Sequence, residues 1–295
     1  VFFFRIRHAP ARMISADVSI LGCGWLGRPL GQQLVDDGVR VRGSTTTPDK
    51  LDRLRDDGIE PYRLALTPDL PDDTGDFFAS DCLVLNVPPP RGANDVQARH
   101  GRQIDAVRTA AAEGGIERIL FASSTGVYPN VERTVTEADQ PPGAPDALPG
   151  TRRATGRALL DVEARLLNDS RFATTVVRLG GLYGGDRHPG RFLAGRTDVG
   201  RPHAPVNLIH RDDWVALFQT VLKQEDVQGE VFNAGADQHP TRRALYTQAA
   251  EHMGLEPPAF DDADATTGKV VDNQKIKARC GYVFQHPDPL ADLGG

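Results

Sequence analysis

Apolar runs alternate with stretches of helical periodicity from Asp17 to about Leu179. The apolar runs predict strands at residues 18–21, 39–42, 62–66, 82–87, 118–123 and 174–179. The patterns between them predict helices at residues 25–37, 47–58, 95–113 and 156–168. Strands that alternate with helices are typical of a parallel sheet covered on both faces. The pattern therefore predicts an α/β protein with a doubly wound parallel sheet.

The regular alternation ends after Leu179. Residues 180–205 are rich in Gly, Arg and His, whereas residues 212–224 and 230–233 predict one more helix and one more strand of the main sheet. We therefore predict a large domain of residues 17–179 plus about 206–235. Residues 180–205 plus 236–295, with a helix at 241–253, are expected to form a small C-terminal substrate lobe. Residues 1–16 are expected to be a disordered tail or an upstream start.

A glycine-rich turn follows the first predicted strand. Gly22-x-Gly24-x-x-Gly27 lies between this strand and a helix, and the second strand comes next. In such a turn the first glycine permits the tight bend, the second lets a pyrophosphate approach the backbone, and the third lets the helix pack on the sheet. We therefore predict a Rossmann NAD(P)-binding site whose lining residues also include Trp25, Leu26, Asn86, Val87, Pro88, Ser123 and Gly181.

The end of the second strand favours NADP over NAD. An acidic residue there would bind the ribose 2′-hydroxyl of NAD, but this chain has Ser44, Thr45, Thr46 and Thr47 and no acid before Asp49. Hydroxyl groups at a helix N-terminus, with Lys50 in the first turn and Arg42 nearby, suit a 2′-phosphate. The alternative, that the hydroxyl run only caps the helix, stays open.

Composition narrows the classes of partner. The 295 residues are 39% hydrophobic and 25% charged with a net charge of −6, and they contain no run of like charge. We therefore expect a small-molecule substrate and neither nucleic acid nor membrane as a partner. The three cysteines form no CxxC pair, which argues against disulfides and structural zinc and for a cytoplasmic location. No metal site is predicted, and a homodimer is left open.

Four segments resemble, in the same order, motifs of the extended short-chain dehydrogenase/reductase superfamily, the NAD-dependent epimerase/dehydratase group. They are residues 121–128 (FASSTGVY), 178–184 (RLGGLYG), 207–213 (NLIHRDD) and 229–235 (GEVFNAG). Together with the glycine turn they extend over nearly the whole chain from Asp17. Extended members usually carry GxxGxxG, so the GxGxxG turn indicates an atypical branch.

The resemblance implies a catalytic Ser or Thr followed by a Tyr-x-x-x-Lys pair. Ser124 occupies the Ser/Thr position, whereas Thr155 and Leu159 stand where the Tyr and the Lys belong. No Tyr-x-x-x-Lys occurs anywhere in the sequence. Ser124 and Tyr128 are therefore the catalytic candidates, although a turn or pocket-wall role for Tyr128 stays open. Further candidates for the missing acid–base group are Tyr183, Asp186, His188 and His210.

These residues predict an NAD(P)-binding oxidoreductase or epimerase-like protein that acts on a small substrate, anionic or a sugar nucleotide. Asp186, Arg191 and Asn207 are expected to line the substrate pocket. Because the catalytic pair is missing, the alternative is a catalytically degenerate sensor or scaffold that only binds NADP(H).

Overall fold

The computed structural model describes residues 17–67, 70, 74–90, 95–150 and 152–294. The predicted tail, residues 1–16, lies outside the described residues. In the described part of the chain, no helix is long and apolar enough to cross a membrane.

The central element is a sheet of seven strands, all paired in parallel. In chain order, the strands of the described residues are β1 (Val18–Leu21), β2 (Val41–Thr45), β3 (Glu60–Arg63), β4 (Cys82–Leu85), β5 (Arg118–Ser124), β6 (Thr134–Val135), β7 (Ala173–Leu179), β8 (Gly181–Tyr183), β9 (Leu208–His210), β10 (Val231–Ala234) and β11 (Val270–Val271). The sheet order is β3-β2-β1-β4-β5-β7-β10. The chain reverses its direction of winding between β1 and β4, which is where ligands bind in such sheets.

Helices cover both faces of the sheet and complete the predicted fold class. They are α1 (Gly27–Asp36), α2 (Leu51–Asp56), α3 (Val96–Gly114), α4 (Ala154–Leu167), α5 (Gly190–Leu193), α6 (Arg211–Leu222), α7 (Arg242–His252) and α8 (Gln274–Cys280). Leu30 of α1 and Trp214 of α6 belong to one buried cluster. Ile104 of α3 and Leu160 of α4 belong to another on the opposite face. The predicted doubly wound α/β fold is therefore confirmed.

The second strand begins later than the apolar pattern predicts. The Val39 N–H donates to Leu34 O at the end of α1, so Val39 belongs to the turn that closes the helix. Val41 pairs with Val18, and the strand continues to Thr45. Ser44 and Thr45 are therefore part of the sheet edge itself, while Thr47 precedes a 3-10 turn and makes no side-chain cap hydrogen bond.

The division into a large domain and a small lobe stays a prediction. The hydrophobic clusters show which residues near the predicted boundary pack with the main sheet. Tyr183, Val206, Leu245 and Leu293 belong to a separate small cluster. Other side chains late in the sequence pack in the cluster beneath the main sheet, and these are Ile276, Cys280, Tyr282 and Phe284. A terminal segment assigned to the lobe by order along the chain thus contributes to the main core.

A buried ion pair joins β7 to α4 below the carboxyl edge of the sheet. Arg178 Nη2 lies 2.6 Å from Glu163 Oε2, and both side chains are 0% exposed. Ser123 Oγ donates to Glu163 Oε1 at 2.6 Å, and Arg178 donates to Tyr128 Oη at 3.0 Å and to Gln140 O at 2.8 Å. Burial is the largest single effect and lowers the pKa of Arg178, but the charges and hydrogen bonds of Glu163 and Tyr128 together outweigh it and raise that pKa above its usual value. The pair fixes the positions of β5, β7 and α4 relative to one another.

Replacing Glu163 by Leu should strongly destabilise the protein, because the Arg178 charge would remain buried without a partner. We expect a loss of about 3–5 kcal/mol in the free energy of unfolding, measured by urea denaturation. The double variant Glu163→Leu/Arg178→Met, which removes both charges, should recover most of that loss. A single variant as stable as the wild type would contradict this assignment.

Candidate functional site

The glycine turn between β1 and α1 lies at the carboxyl edge of the sheet. Gly22 has φ +94°, and a Cβ there would overlap Asn86 O of the neighbouring strand end. A Cβ on Gly27 would lie 2.7 Å from Gly22 O. In contrast, a Cβ on Gly24 would meet no protein atom within 4 Å. Packing of the protein therefore requires the first and third glycines, whereas Gly24 faces open space.

Ser44 and Asn86 hold this turn from the two neighbouring strands. The Gly22 N–H donates to Ser44 Oγ at 2.9 Å, and Asn86 Nδ2 donates to Gly22 O at 3.1 Å. Ser44 is 2% exposed, so its hydroxyl supports the turn from below. The turn is thereby fixed before any ligand binds.

Two adjoining cavities cross this edge and share Gly22, Gly24, Asn86 and Pro88. We call them together the sheet-edge groove. The first cavity, about 400 Å³, is also lined by Leu21, Ser44, Thr45, Thr46, Thr47, Lys50, Leu64, Leu66, Val87, Pro90, Arg99 and Gln103. The second, about 330 Å³, is also lined by Trp25, Leu26, Pro89, Ala122, Ser123, Ser124, Leu159, Leu179, Gly180, Leu182 and Arg187.

The groove brings together most of the residues predicted to contact a cofactor. Two of the predicted residues, Gly27 and Gly181, do not line it. Gly27 is buried in the packing of α1, and the neighbouring Gly180 lines the second cavity in place of Gly181. Sequence reasoning missed Arg99 and Gln103 of α3. Their spacing of four residues places them on one face of the helix, and this was the available signal.

The charges around the first cavity are basic. Among the described residues no Asp or Glu lines it, whereas Lys50 and Arg99 do. Arg42, expected nearby, is 3% exposed and bonds Asp17 Oδ2 at 3.1 Å, so the structure does not bring it to the cavity. A neighbouring cavity of about 350 Å³ shares Gly24 and Lys50 and carries further charged side chains, namely Arg28, Arg53, Asp186 and Arg211. Of these, Arg28 is paired with Asp57.

Trp25 of the glycine turn is held by the loop after β8. Its Nε1 donates to Asp186 Oδ1 at 2.5 Å, and the Arg187 guanidinium lies 4.0 Å from the centre of its ring. Gly184 and Arg187 exchange two backbone hydrogen bonds, so a two-residue turn presents Asp186 and Arg187 to Trp25. The structure thus places Asp186, predicted in the substrate pocket, beside the glycine turn, and it places Arg187 on the wall of the second cavity.

Ser124, the residue predicted at the catalytic Ser position, lines the second cavity. Ser124 Oγ accepts from Gly126 N at 3.1 Å, which leaves its hydroxyl proton available to a ligand. A Cβ on Gly156 would overlap Gly126 O, so α4 packs directly on the turn after β5. Leu159 of α4 therefore lines the cavity, and Thr155, one turn earlier, is half-buried.

Tyr128 is not brought to the groove. It is 2% exposed, and its hydroxyl donates to Asn233 Oδ1 at 2.7 Å while accepting from Arg178. Burial raises the pKa of Tyr128 to about 12, against the lowering effect of Arg178. A phenol held in this way cannot exchange protons with a ligand in the groove near neutral pH, so Tyr128 does not enter our proposal.

The remaining predicted substrate residues lie outside the two cavities. Both ends of the Asn207 side chain are engaged by backbone, since Nδ2 donates to Lys269 O at 2.9 Å and Oδ1 accepts from Val271 N at 2.7 Å. Arg191 is exposed on α5. Asn207 therefore joins β9 to the segment that leads into β11, and it brings Lys269, which the sequence did not single out, to this part of the structure.

Comparison with known proteins identifies the fold and a relative of this chain. No protein-family model matches the chain. Protein YeeZ of Escherichia coli K12 is 38% identical over 277 residues, which cover 92% of this chain and 97% of that protein. A short-chain dehydrogenase/reductase superfamily protein from Agrobacterium tumefaciens, solved with bound NAD, matches with a TM-score of 0.72 at 20% identity, over 94% of this chain and 95% of that one.

A third similar protein is UDP-glucose 4-epimerase from Thermotoga maritima, solved with UDP-glucose. It matches with a TM-score of 0.71 at 16% identity over 94% of this chain and 96% of its own. The chain therefore belongs to the family of Protein YeeZ, and its fold is that of the short-chain dehydrogenase/reductase superfamily.

Proposed function

We propose that this protein binds NADP(H) in the sheet-edge groove and is an oxidoreductase or epimerase-like enzyme for a small-molecule substrate. The observation that carries the proposal is the continuity of the two cavities across Gly24, from the hydroxyl-lined end of β2 to Ser124. A dinucleotide has this elongated form, with its adenosine at one end and its nicotinamide at the other. The open space over Gly24 and the amides at the start of α1 suit the pyrophosphate.

The preference for NADP rests on charge. Around the end of β2 the described lining residues offer hydroxyl groups and Lys50 and no carboxylate. Arg53 and Arg211 lie in the adjoining basic cavity. A 2′-phosphate adds negative charge next to these groups, whereas the free 2′-hydroxyl of NAD would lack the acidic acceptor that usually binds it.

At the reacting end, the chain's own residues bind and orient the substrate. The bound nicotinamide would supply hydride exchange. Ser124 can donate its hydroxyl proton to a substrate oxygen, as a preorganised donor does for developing negative charge. Ala122, Leu159 and Leu182 give the cavity an apolar side, and Arg187 places a cation on the same cavity. Leu159 cannot carry the charge of the family's Lys, and Thr155 does not ionise near neutral pH.

NADPH should bind at least about tenfold more tightly than NADH, a difference of about 1.4 kcal/mol. The double variant Lys50→Glu/Arg53→Glu should remove this preference, because it places negative charge beside the 2′-phosphate, and should leave NADH affinity within a few-fold. Titration calorimetry measures both affinities. Arg55→Glu, an exposed change on the same helix, is the matched control. Equal affinities, or a preference for NADH, in the wild type would contradict the NADP assignment.

Gly24→Val should sharply weaken the binding of both NADPH and NADH while leaving the fold intact. The added side chain meets no protein atom at its Cβ, but it occupies the space proposed for the pyrophosphate. Calorimetry should show at least about a hundredfold loss of affinity, which is about 2.7 kcal/mol. The melting temperature, the control for folding, should stay within a few degrees. If the folded variant kept its affinity, the turn would not hold the phosphates.

Ser124→Ala should cost far more activity than Thr155→Ala. Loss of a hydrogen-bond donor to a developing oxyanion typically lowers kcat by about 10²–10³-fold, whereas Thr155 exchanges no proton and its variant should stay within a few-fold. A screen of NADPH oxidation with carbonyl and nucleotide-sugar substrates supplies the assay. A large loss on Thr155→Ala, with Ser124→Ala unaffected, would refute these roles.

A further inference from the structure

Lys269 connects the segment before β11 to the turn after β5. Its Nζ donates to Tyr128 O at 2.9 Å and lies 3.4 Å from Pro129 O. Its own carbonyl accepts from Asn207 Nδ2 at 2.9 Å. The side chain therefore extends from the segment before β11 to the turn after β5.

The two segments that Lys269 contacts, the turn after β5 and the chain at Asn207, both lie next to residues that line the second cavity. The Tyr128 N–H donates to Thr125 O at 3.2 Å, and Thr125 follows Ser124 directly. On the other side, the Gly181 N–H donates to Asn207 O at 2.8 Å, and Gly181 follows Gly180. Lys269 thus bridges two segments that adjoin the Ser124 end of the second cavity.

Arg201 places a second cation at the same junction. Its Nη2 donates to Asn130 Oδ1 and to Thr267 O, each at 2.7 Å, and packs on Gly268, where a Cβ would lie 2.7 Å away. Its Nε is buried and has no hydrogen-bond partner among the described residues. Arg201 also has φ +59°, a left-handed conformation that costs a non-glycine residue energy and is frequent at functional sites.

The charges that face Lys269 are predominantly positive. Burial, the largest cause, and the charges of Arg201, Arg152 and Arg153 together lower the pKa of Lys269 to about 8. Among the described residues, no ion pair neutralises the Lys269 ammonium, whose hydrogen bonds go to carbonyl oxygens. Two acids lie in this part of the structure: Asp264 accepts from the Arg201 N–H and interacts with the charge of Arg201, and Glu132 accepts from the Thr267 N–H. Neither forms an ion pair with Lys269.

An excess of partly desolvated positive charge is unfavourable in the empty protein and would be relieved by an anion. An ammonium has three donors, and the carbonyls of Tyr128 and Pro129 account for two of them. One donor of the Lys269 ammonium therefore remains for a ligand, and Arg201, whose buried Nε has no hydrogen-bond partner among the described residues, adds positive charge near it.

We propose that Lys269, with Arg201, binds an anionic group of the substrate, a carboxylate or a phosphate, and so makes the enzyme specific for acidic small molecules. The proposal rests on the proposed function, because it assigns the substrate end of the same site. Lys269 is a specificity-determining residue in this account, and the hydride step does not pass through it.

Binding of inorganic phosphate and of malonate to the full chain tests this directly. Thermal shift and calorimetry would measure the binding of each anion at constant ionic strength, with sodium chloride as the control. Comparing phosphate with malonate separates recognition of a phosphate from recognition of a carboxylate. We expect the wild type to bind at least one of them, Lys269→Met to bind it at least about tenfold more weakly, and Lys269→Arg to stay within a few-fold. Lys223→Met, which removes a lysine paired with Asp37, should behave like the wild type.

The pH dependence separates ligand binding from a merely structural clamp. Lys269 loses its proton as pH rises through about 8, so anion affinity in the wild type should fall above that pH. Lys269→Arg stays protonated and should show no such fall. Malonate keeps its charge over this range and is the probe for this measurement.

The proposal would be overturned if Lys269→Met bound anions as tightly as the wild type. It would also be overturned if the wild type responded to neither phosphate nor malonate more than to chloride. If Lys269→Met failed to fold, Arg201→Gln and the pH profile would still decide. NADPH affinity is measured in parallel and should be unchanged in Lys269→Met. A wild type that bound malonate but no NADPH would refute the proposed function and leave the anion site standing.

Discussion

The buried pair of Arg178 and Glu163 is the interaction on which the geometry of the groove depends. Two opposite charges 2.6 Å apart with no exposure attract strongly, and each would be costly to leave alone. The same two side chains bind Ser123 and Tyr128, which flank the turn after β5. The pair thus holds α4 against that turn, and this contact places Leu159 and Ser124 on one cavity.

Charge is distributed differently in the interior and around the groove. Arg178 is fully paired, and its Glu163 partner keeps the buried cation stable. Around the groove, Lys50 and Arg187 line cavities, and Lys269 and Arg201 contact the segment that follows β5 without an ion pair to Lys269 among the described residues. Cations that the fold does not neutralise point to ligands that are negative, which fits a phosphorylated dinucleotide and an acidic substrate together.

Local pattern was a good guide to the elements and a poorer guide to individual roles. Long apolar runs and the spacing of the glycines involve residues that are close together in the chain, so they predicted the parallel sheet and the glycine turn. Ser44 was predicted from a hydroxyl run and does line the groove, although it also supports the turn beneath Gly22. Tyr128 was chosen from its motif, but its hydroxyl binds partners on strands far away in the sequence.

The sequence by itself determined the fold class, the glycine turn and the absence of a Tyr-x-x-x-Lys pair, because each depends on the spacing of residues that are close together in the sequence. Only the tertiary structure decided which side chains meet around the groove. Trp25 bonds Asp186 across 161 positions, and Lys269 bonds Tyr128 across 141. Such contacts depend on how separate segments pack, and no local periodicity carries that information.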